Sequence, residues 1–254
     1  MLLVLDAGNT NITLGIFNGK ELVKKCRLVS DTEAVQTVYE AKIGEVVSGF
    51  DIKGCIIGSV VDELNEKLKN ACDNLLGINS FLCNNKMDFG IKVLGKDSSK
   101  AGMDRIANAL CAKNNYPLPA IVVDAGTAVT FDIVSKEGEF IGGVIMPGIG
   151  IEFKALAEFT SKLPEIEPQE SEKAIGDSTE SCILSGVVRG TACGIEGLLS
   201  QCEKELGEKA TVIATGGRIE LLAKYMSRKF DYINPDLTLE GLREIFEYQR
   251  VCKN

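Results

Sequence analysis

The chain opens with a continuous apolar run, Leu2-Leu-Val-Leu5, that breaks at Asp6-Ala7-Gly8. Such a run, bounded by turn residues, predicts a short buried strand. Polar Asn9, Thr10, Asn11 and Thr13 follow, with Ile12 among them, and Leu14–Phe17 forms a second apolar run. Asn18-Gly19 then signals a tight hairpin into a third strand near Glu21–Leu28. The plan recurs at Ala120-Ile-Val-Val-Asp124-Ala-Gly126-Thr127-Ala-Val-Thr130-Phe-Asp132-Ile-Val134. There Lys136-Glu-Gly138 replaces Asn18-Gly19, and Glu139–Ile145 is the third strand. A repeat of this length implies two similar domains, expected at 1–115 and 116–254.

Between and after the meanders the spacing turns helical. Asp31–Phe50 predicts a helix with Ser30 or Thr32 as cap, and Ala34, Val38, Ala41 and Val46 near helical spacing. Lys53–Val60 reads as a buried strand, Asp62–Leu76 as an amphipathic helix closed by Gly77, and Ser80–Cys83 as a short strand. A helix opens near Lys100 and runs to about Asn115, with Asp104 in its first turn. Ile149–Leu163 is expected to be helical up to Pro164, and Pro164–Ile175 to be a charged loop. A long helix follows, capped by Ser178 or Thr179. Small residues line it at Ser185, Gly186, Gly190, Ala192, Gly194 and Gly197, as close packing requires. Thr211–Thr215 predicts a strand running into Gly216-Gly217, and Ile219–Arg228 and Leu239–Tyr248 the last helices.

Composition narrows the chemistry. The chain has 254 residues, 45% hydrophobic and 25% charged, as globular proteins do. The first apolar run is too short for a signal peptide, and no segment is expected to reach the ~18–20 apolar residues of a membrane span. The expectation is a soluble, cytoplasmic protein with no membrane partner. Nine cysteines lie scattered without a C-x-x-C pair, which suits reduced thiols better than disulfides or zinc. There is no histidine, so any general base is drawn from the other titratable side chains, a carboxylate first. A net charge of −8 disfavours nucleic acid.

The repeated turn points to phosphate. Glycine lets an anion approach the backbone closely, and the Asn and Thr side chains add donors. Asp6 and Asp124 repel phosphate and suit instead the cations that accompany it. One Asp-Ala-Gly is an ordinary β-turn; two in matching strand contexts are harder to dismiss. Asp104 alone reads as a helix-start acid beside a surface arginine. Gly90-Ile-Lys-Val-Leu-Gly95-Lys96-Asp97 nearly spells a phosphate-binding P-loop, but Asp97 stands where a Ser or Thr belongs and no helix is expected to start at Lys96.

Taken together, Asp6-Ala-Gly-Asn-Thr-Asn, Gly102-Met-Asp-Arg-Ile-Ala-Asn, Asp124-Ala-Gly-Thr-Ala-Val-Thr, Gly142-Gly-Val-Ile-Met-Pro-Gly, Ile175-Gly-Asp-Ser-Thr and Ala214-Thr-Gly-Gly resemble the type III pantothenate kinases. The likeness extends to Asn234-Pro-Asp-Leu-Thr near the end. The resemblance implies an α/β fold of duplicated ribonuclease H-like (actin-like ATPase) domains, each a mixed sheet with a three-strand antiparallel meander and flanking helices. It implies transfer of the ATP γ-phosphate to pantothenate, the first step towards coenzyme A, by a homodimer. By position it assigns Asp6, Ala7, Gly8, Asn9, Thr10, Asn11, Ile12, Thr13 and Thr127 to ATP. Gly102, Met103, Asp104, Arg105 and Thr179 fall to pantothenate, with Asp104 as proton acceptor and Thr179 supplied across the dimer. Asp124 falls to a monovalent cation (K+ or NH4+), and Asp6 to Mg2+ with ATP.

The acceptor side departs from the family pattern. Gly95-Lys-Asp97-Ser98 aligns where the family carries Tyr-x-Asn-Pro, and Met103 replaces its usual Ala. Two other functions therefore stand beside the first: a non-catalytic nucleotide-binding regulator, and a kinase or phosphatase for another small hydroxy acid.

Overall fold

The computed structural model of the chain describes residues 1–84, 86–96 and 100–252. It divides into two compact units, Met1–Asn115 with Asp236–Asn254, and Tyr116–Pro235. The expected boundary left everything from 116 onwards in the second unit. The C-terminal helix belongs instead with the first, because its apolar face is buried there.

In the first unit, β1 (Leu2–Ala7), β2 (Asn11–Asn18) and β3 (Glu21–Val29) form the expected antiparallel meander. β4 (Gly54–Ser59) and β5 (Phe81–Leu82) extend it in parallel, giving the order β3-β2-β1-β4-β5. Alternation along β1 sends Leu3, Leu5 and Ala7 to one face, where they join Tyr39 and Ile43 of α1 (Gln36–Val47) and Leu64 and Leu68 of α2 (Asp62–Leu76). Gly77 ends α2 in the left-handed conformation, as read from the sequence. α1 starts later than expected. The Asp31 carboxylate accepts the N–H groups of Glu33 and Ala34, so this stretch is a turn, and Ser30 caps nothing.

α3 (Met103–Asn115) and α8 (Leu237–Cys252) pack together in the same unit. Their backbones nearly touch: a Cβ on Gly241 would strike the Ala107 carbonyl. The buried Asn108 accepts the Thr238 hydroxyl across the contact at 2.8 Å. Leu242 and Phe246 of α8 fill the spaces left by Gly58 and Gly54 on β4. Truncating a buried leucine of this kind costs about 2–5 kcal/mol.

The second unit repeats the plan. β6 (Ala120–Ala125), β7 (Ala128–Val134) and β8 (Phe140–Pro147) are the antiparallel meander. β9 (Thr211–Thr215) and β10 (Tyr232–Ile233) join in parallel, in the order β10-β9-β6-β7-β8. Ile121, Val123 and Phe131 pack against Phe153 of α4 (Ile149–Glu158) and Leu222 of α7 (Ile219–Ala223). α4 ends before Pro164, and α7 before Arg228.

The long helix is three segments: α5 (Thr179–Leu184), a π-helical turn at Ser185–Arg189, and α6 (Gly190–Leu206). Here the expectation about membrane spans needs correcting, since Thr179–Leu206 is long and apolar enough to cross a bilayer by length and composition. Its apolar residues Ile183, Val187, Val188, Ile195 and Leu199 nonetheless lie in the core of the second unit. All nine cysteines are free.

Candidate active site

The first Asp-Ala-Gly turn joins β1 to β2. Asp6 stands directly opposite Thr13 in the ladder, and Ala7 opposite Ile12. Between them Gly8 donates its N–H to the Asn11 carbonyl at 2.9 Å. The second turn is one residue shorter. Asp124 stands opposite Thr130, and Gly126 donates to the Ala128 carbonyl at 3.0 Å. The repeat thus holds at the level of register, with an acid facing a threonine at each strand end. In one respect the reading of glycine changes: both glycine N–H groups close their own turns. Of the residues that follow, Asn9, Thr10 and Thr127 are exposed and could offer donors to an anion.

Ala7 and Ile12 are fully buried, so their side chains are closed to any ligand at this turn. Asp6, Gly8, Asn11 and Thr13 are half-buried. Ser30 braces this turn, donating its hydroxyl to the Gly8 carbonyl at 2.5 Å and its N–H to the Thr10 carbonyl at 3.1 Å. No local pattern reveals that role, because the partners lie 22 residues apart.

In the second unit, neighbouring segments crowd the turn. Gly148 donates to the Thr127 carbonyl at 3.1 Å, and Arg218 to the Ala125 carbonyl at 3.1 Å. Gly216 has φ +94°, and a Cβ there would lie 2.5 Å from the Asp124 Oδ1. The Thr215-Gly216 turn therefore forms a cradle for the Asp124 carboxylate. Among the described residues, no group of three or more Cys, Asp or Glu is placed to hold a metal ion. A cation at Asp6 or Asp124 would complete its oxygen shell from carbonyls, hydroxyls, water or nucleotide oxygens, which suits hard cations.

Asp104 lies in the first turn of α3. Burial pushes its carboxyl above the usual carboxylate range, against the opposing pull of the Arg105 N–H and guanidinium charge. The Arg105 N–H donates to Asp104 Oδ1 at 2.8 Å. Gly102 leaves the space this oxygen occupies, since a Cβ there would collide with it. Met103 points into the core, 3% exposed, so it offers a ligand only its backbone. Arg105 is half-buried. Thr179 is exposed at the start of α5, with Ser178 as its cap in a reciprocal pair with Ser181. Lys96 lies in a turn, and the next α-helix among the described residues is α3. Asp97 and Ser98, where the acceptor loop departs from the family pattern, lie outside the described residues.

The model of the type III pantothenate kinase family matches residues 2–201. A type III pantothenate kinase from Moorella thermoacetica is 38% identical over 252 residues, covering 97% of this chain and 99% of its own. One from Dehalococcoides mccartyi is 38% identical over 255 residues, covering 98% and 97%. Among solved structures, the activator of the 2-hydroxyisocaproyl-CoA dehydratase from Clostridium difficile superposes with a TM-score of 0.56 at 12% identity, covering 99% of this chain and 97% of that one. A ROK family glucokinase from Streptomyces griseus does so at 0.54 and 13%, covering 95% and 97%. The fold is that of the actin-like ATPases, and the chain belongs to the type III pantothenate kinase family.

Proposed function

We propose that the protein transfers the γ-phosphate of ATP to the primary hydroxyl of pantothenate, the first step of coenzyme A synthesis, with Asp104 as general base. The observation that carries this reading is the place of the Asp104 carboxyl, half-buried in the first turn of α3 and given room by Gly102, with burial also pushing its pKa up. A primary alcohol is a poor nucleophile until a base receives its proton, and such help is worth about 10²–10⁴-fold. A carboxylate with a raised pKa is the better proton acceptor. The hydroxyl proton passes to Asp104 as the alcohol oxygen attacks the γ-phosphorus and ADP departs. Arg105 pairs with the substrate carboxylate in a two-pronged geometry.

Asp6–Thr13 and Thr127 hold ATP, through side chains at the exposed positions and through backbone at Ala7 and Ile12. Asp6 would hold the Mg2+ that accompanies ATP, which when bound would supply charge compensation for the phosphoryl oxygens. Asp124 binds K+ or NH4+, a reading supported by the clearance that Gly216 leaves around its carboxylate. The protein acts as a homodimer in which Thr179 contacts pantothenate in the second subunit. In support, at Gly186, Gly190 and Gly197 nothing beyond the helix's own neighbouring backbone lies within 4 Å of where a Cβ would stand. The protein works in the cytoplasm without nucleic acid or membrane, as the charge of −8 and the packed apolar face of the long helix suggest.

The test is a coupled measurement of ADP release with and without pantothenate, and with K+ exchanged for Na+. Turnover that requires pantothenate and rises with K+ is expected. Nucleotide binding without any pantothenate-dependent turnover would instead make the protein a regulator on the same scaffold.

A further inference from the structure

Residues 171–178 run as a strap along the helix they lead into. A backbone outside any ladder finds partners for its polar groups in side chains or water, and here side chains supply several of them. Arg189, the last residue of the π turn, donates from Nε to the Ser171 hydroxyl at 3.1 Å. Its Nη2 reaches the carbonyls of Ser171 at 2.8 Å and Glu172 at 3.4 Å. The same guanidinium lies 4.6 Å from the centre of the Tyr225 ring, whose hydroxyl accepts the Ser171 N–H at 2.7 Å. Ser185, the first residue of the π turn, donates to the Ala174 carbonyl at 2.6 Å. Gly176 then lies directly on the helix, where a Cβ would strike the Cys182 nitrogen. Asp177 and Ser178 each donate an N–H to the Ser181 hydroxyl at 2.9 Å.

Apolar burial does little to hold this segment. From 167 to 182 only Ser171 is buried, and Ile175 is 86% exposed. Its placement therefore depends on the polar anchors, and Arg189 supplies three of their hydrogen bonds and a ring contact. The strap ends at Ser178, the cap of α5, and Thr179 is the next residue. The first turn of a helix has no upstream carbonyls to hold it and frays unless its cap is fixed.

We infer that Arg189 is a positioning residue for the acceptor: by pinning the strap at Ser171 it fixes the Ser178 cap and so the place of Thr179. The inference rests on the reading of Thr179 as a pantothenate contact. Small displacements of a substrate-positioning group cost large factors in the rate or binding of that substrate alone.

The test measures KM for pantothenate and for ATP separately in Arg189→Ala, Arg189→Lys and Tyr225→Phe, with hydrogen exchange of the amides of 178–182. Arg189→Ala should raise the pantothenate KM about 10-fold or more and leave the ATP KM within about twofold. Exchange at 178–182 should quicken. Arg189→Lys keeps a cation but not the fork, and should fall between; Tyr225→Phe should shift KM in the same direction. A pantothenate KM at the wild-type value, or both KM values rising together, overturns the inference. If Arg189→Ala does not fold, the other two variants decide by the same criterion. A wild-type protein with no pantothenate-dependent turnover would sink the functional reading itself, an outcome distinct from unchanged KM values in an active enzyme.

Discussion

Asp104 Oδ1 occupies the space that a side chain on Gly102 would need. The Cβ of an alanine there would also lie 3.3 Å from Val60 Cγ1, so it cannot swing aside freely. Because the atom in its way is the end of a side chain, the carboxylate yields rather than the backbone. Gly102→Ala is expected to fold normally and to lower kcat by about 10-fold or more, since the base is displaced from its acceptor. Steady-state ADP release alongside a thermal melt checks both halves. An unchanged kcat would mean that the exact place of the carboxylate is immaterial.

Asp104→Asn separates catalysis from stability. Turnover should drop by about 10²–10⁴-fold, because the amide accepts no proton. Stability should move the other way. The folded-state pKa of Asp104 is raised by burial, so its ionisation is harder in the folded chain than in the unfolded one. Its contribution to stability is full below the unfolded pKa and is lost as pH rises through the folded value. At neutral pH the charged group therefore costs stability, and the neutral amide relieves that cost while still accepting the Arg105 N–H. The variant should melt above wild type at pH 7, by a margin that narrows as pH falls towards about 4. Near-wild-type turnover would remove Asp104 from the chemistry.

Gly216 is the corresponding test of Asp124. With φ +94° and the Ala125 backbone 2.6 Å from where a Cβ would stand, alanine is strained whatever its neighbours do. Gly216→Ala should cost stability of the order of 1–3 kcal/mol. It should also shift the K+ concentration for half-maximal activation upwards, because its methyl group presses on Asp124 Oδ1. A stability loss with unaltered K+ dependence would separate Gly216 from cation binding.

What the sequence makes legible here is local. The α2 limits follow from Leu64 and Leu68 at helical spacing and the left-handed Gly77, all of which act within one turn. The two meanders are legible because the same acid, glycine and apolar alternation recur. Long-range partners are not. Ser30 abandons the cap for the Gly8 carbonyl, 22 residues away. The unit to which α8 belongs depends on Gly241 meeting Ala107 and Leu242 meeting Gly58, contacts that no periodicity encodes. At the site, the residue types are readable in Asp6, Asp104 and Asp124. The commitment of the Gly8 and Gly126 N–H groups to their own turns is not, because it depends on the ladder register.

Glu203 is a buried carboxylate of the second unit whose donors tie stability to pH. It is 5% exposed, and its carboxylate accepts from Arg228 at 2.8 Å, Lys209 at 2.7 Å and the Ala210 N–H at 3.2 Å. Burial alone would raise its pKa, but these donors together outweigh burial and hold it at about 2, below the ordinary 4.5. A depressed carboxylate stabilises the fold above its unfolded pKa, and that contribution fades as pH falls through the folded value. Stability of the wild type should therefore decline between pH 4.5 and about 2 with a share from Glu203. Glu203→Gln, which leaves Arg228 facing an amide, should destabilise the protein by about 3 kcal/mol at pH 7 and flatten this acid slope. Urea melts of both proteins across that range are the measurement. Parallel slopes would show that the Arg228 and Lys209 contacts carry no net stabilisation, and that the acid limit is set by other carboxylates.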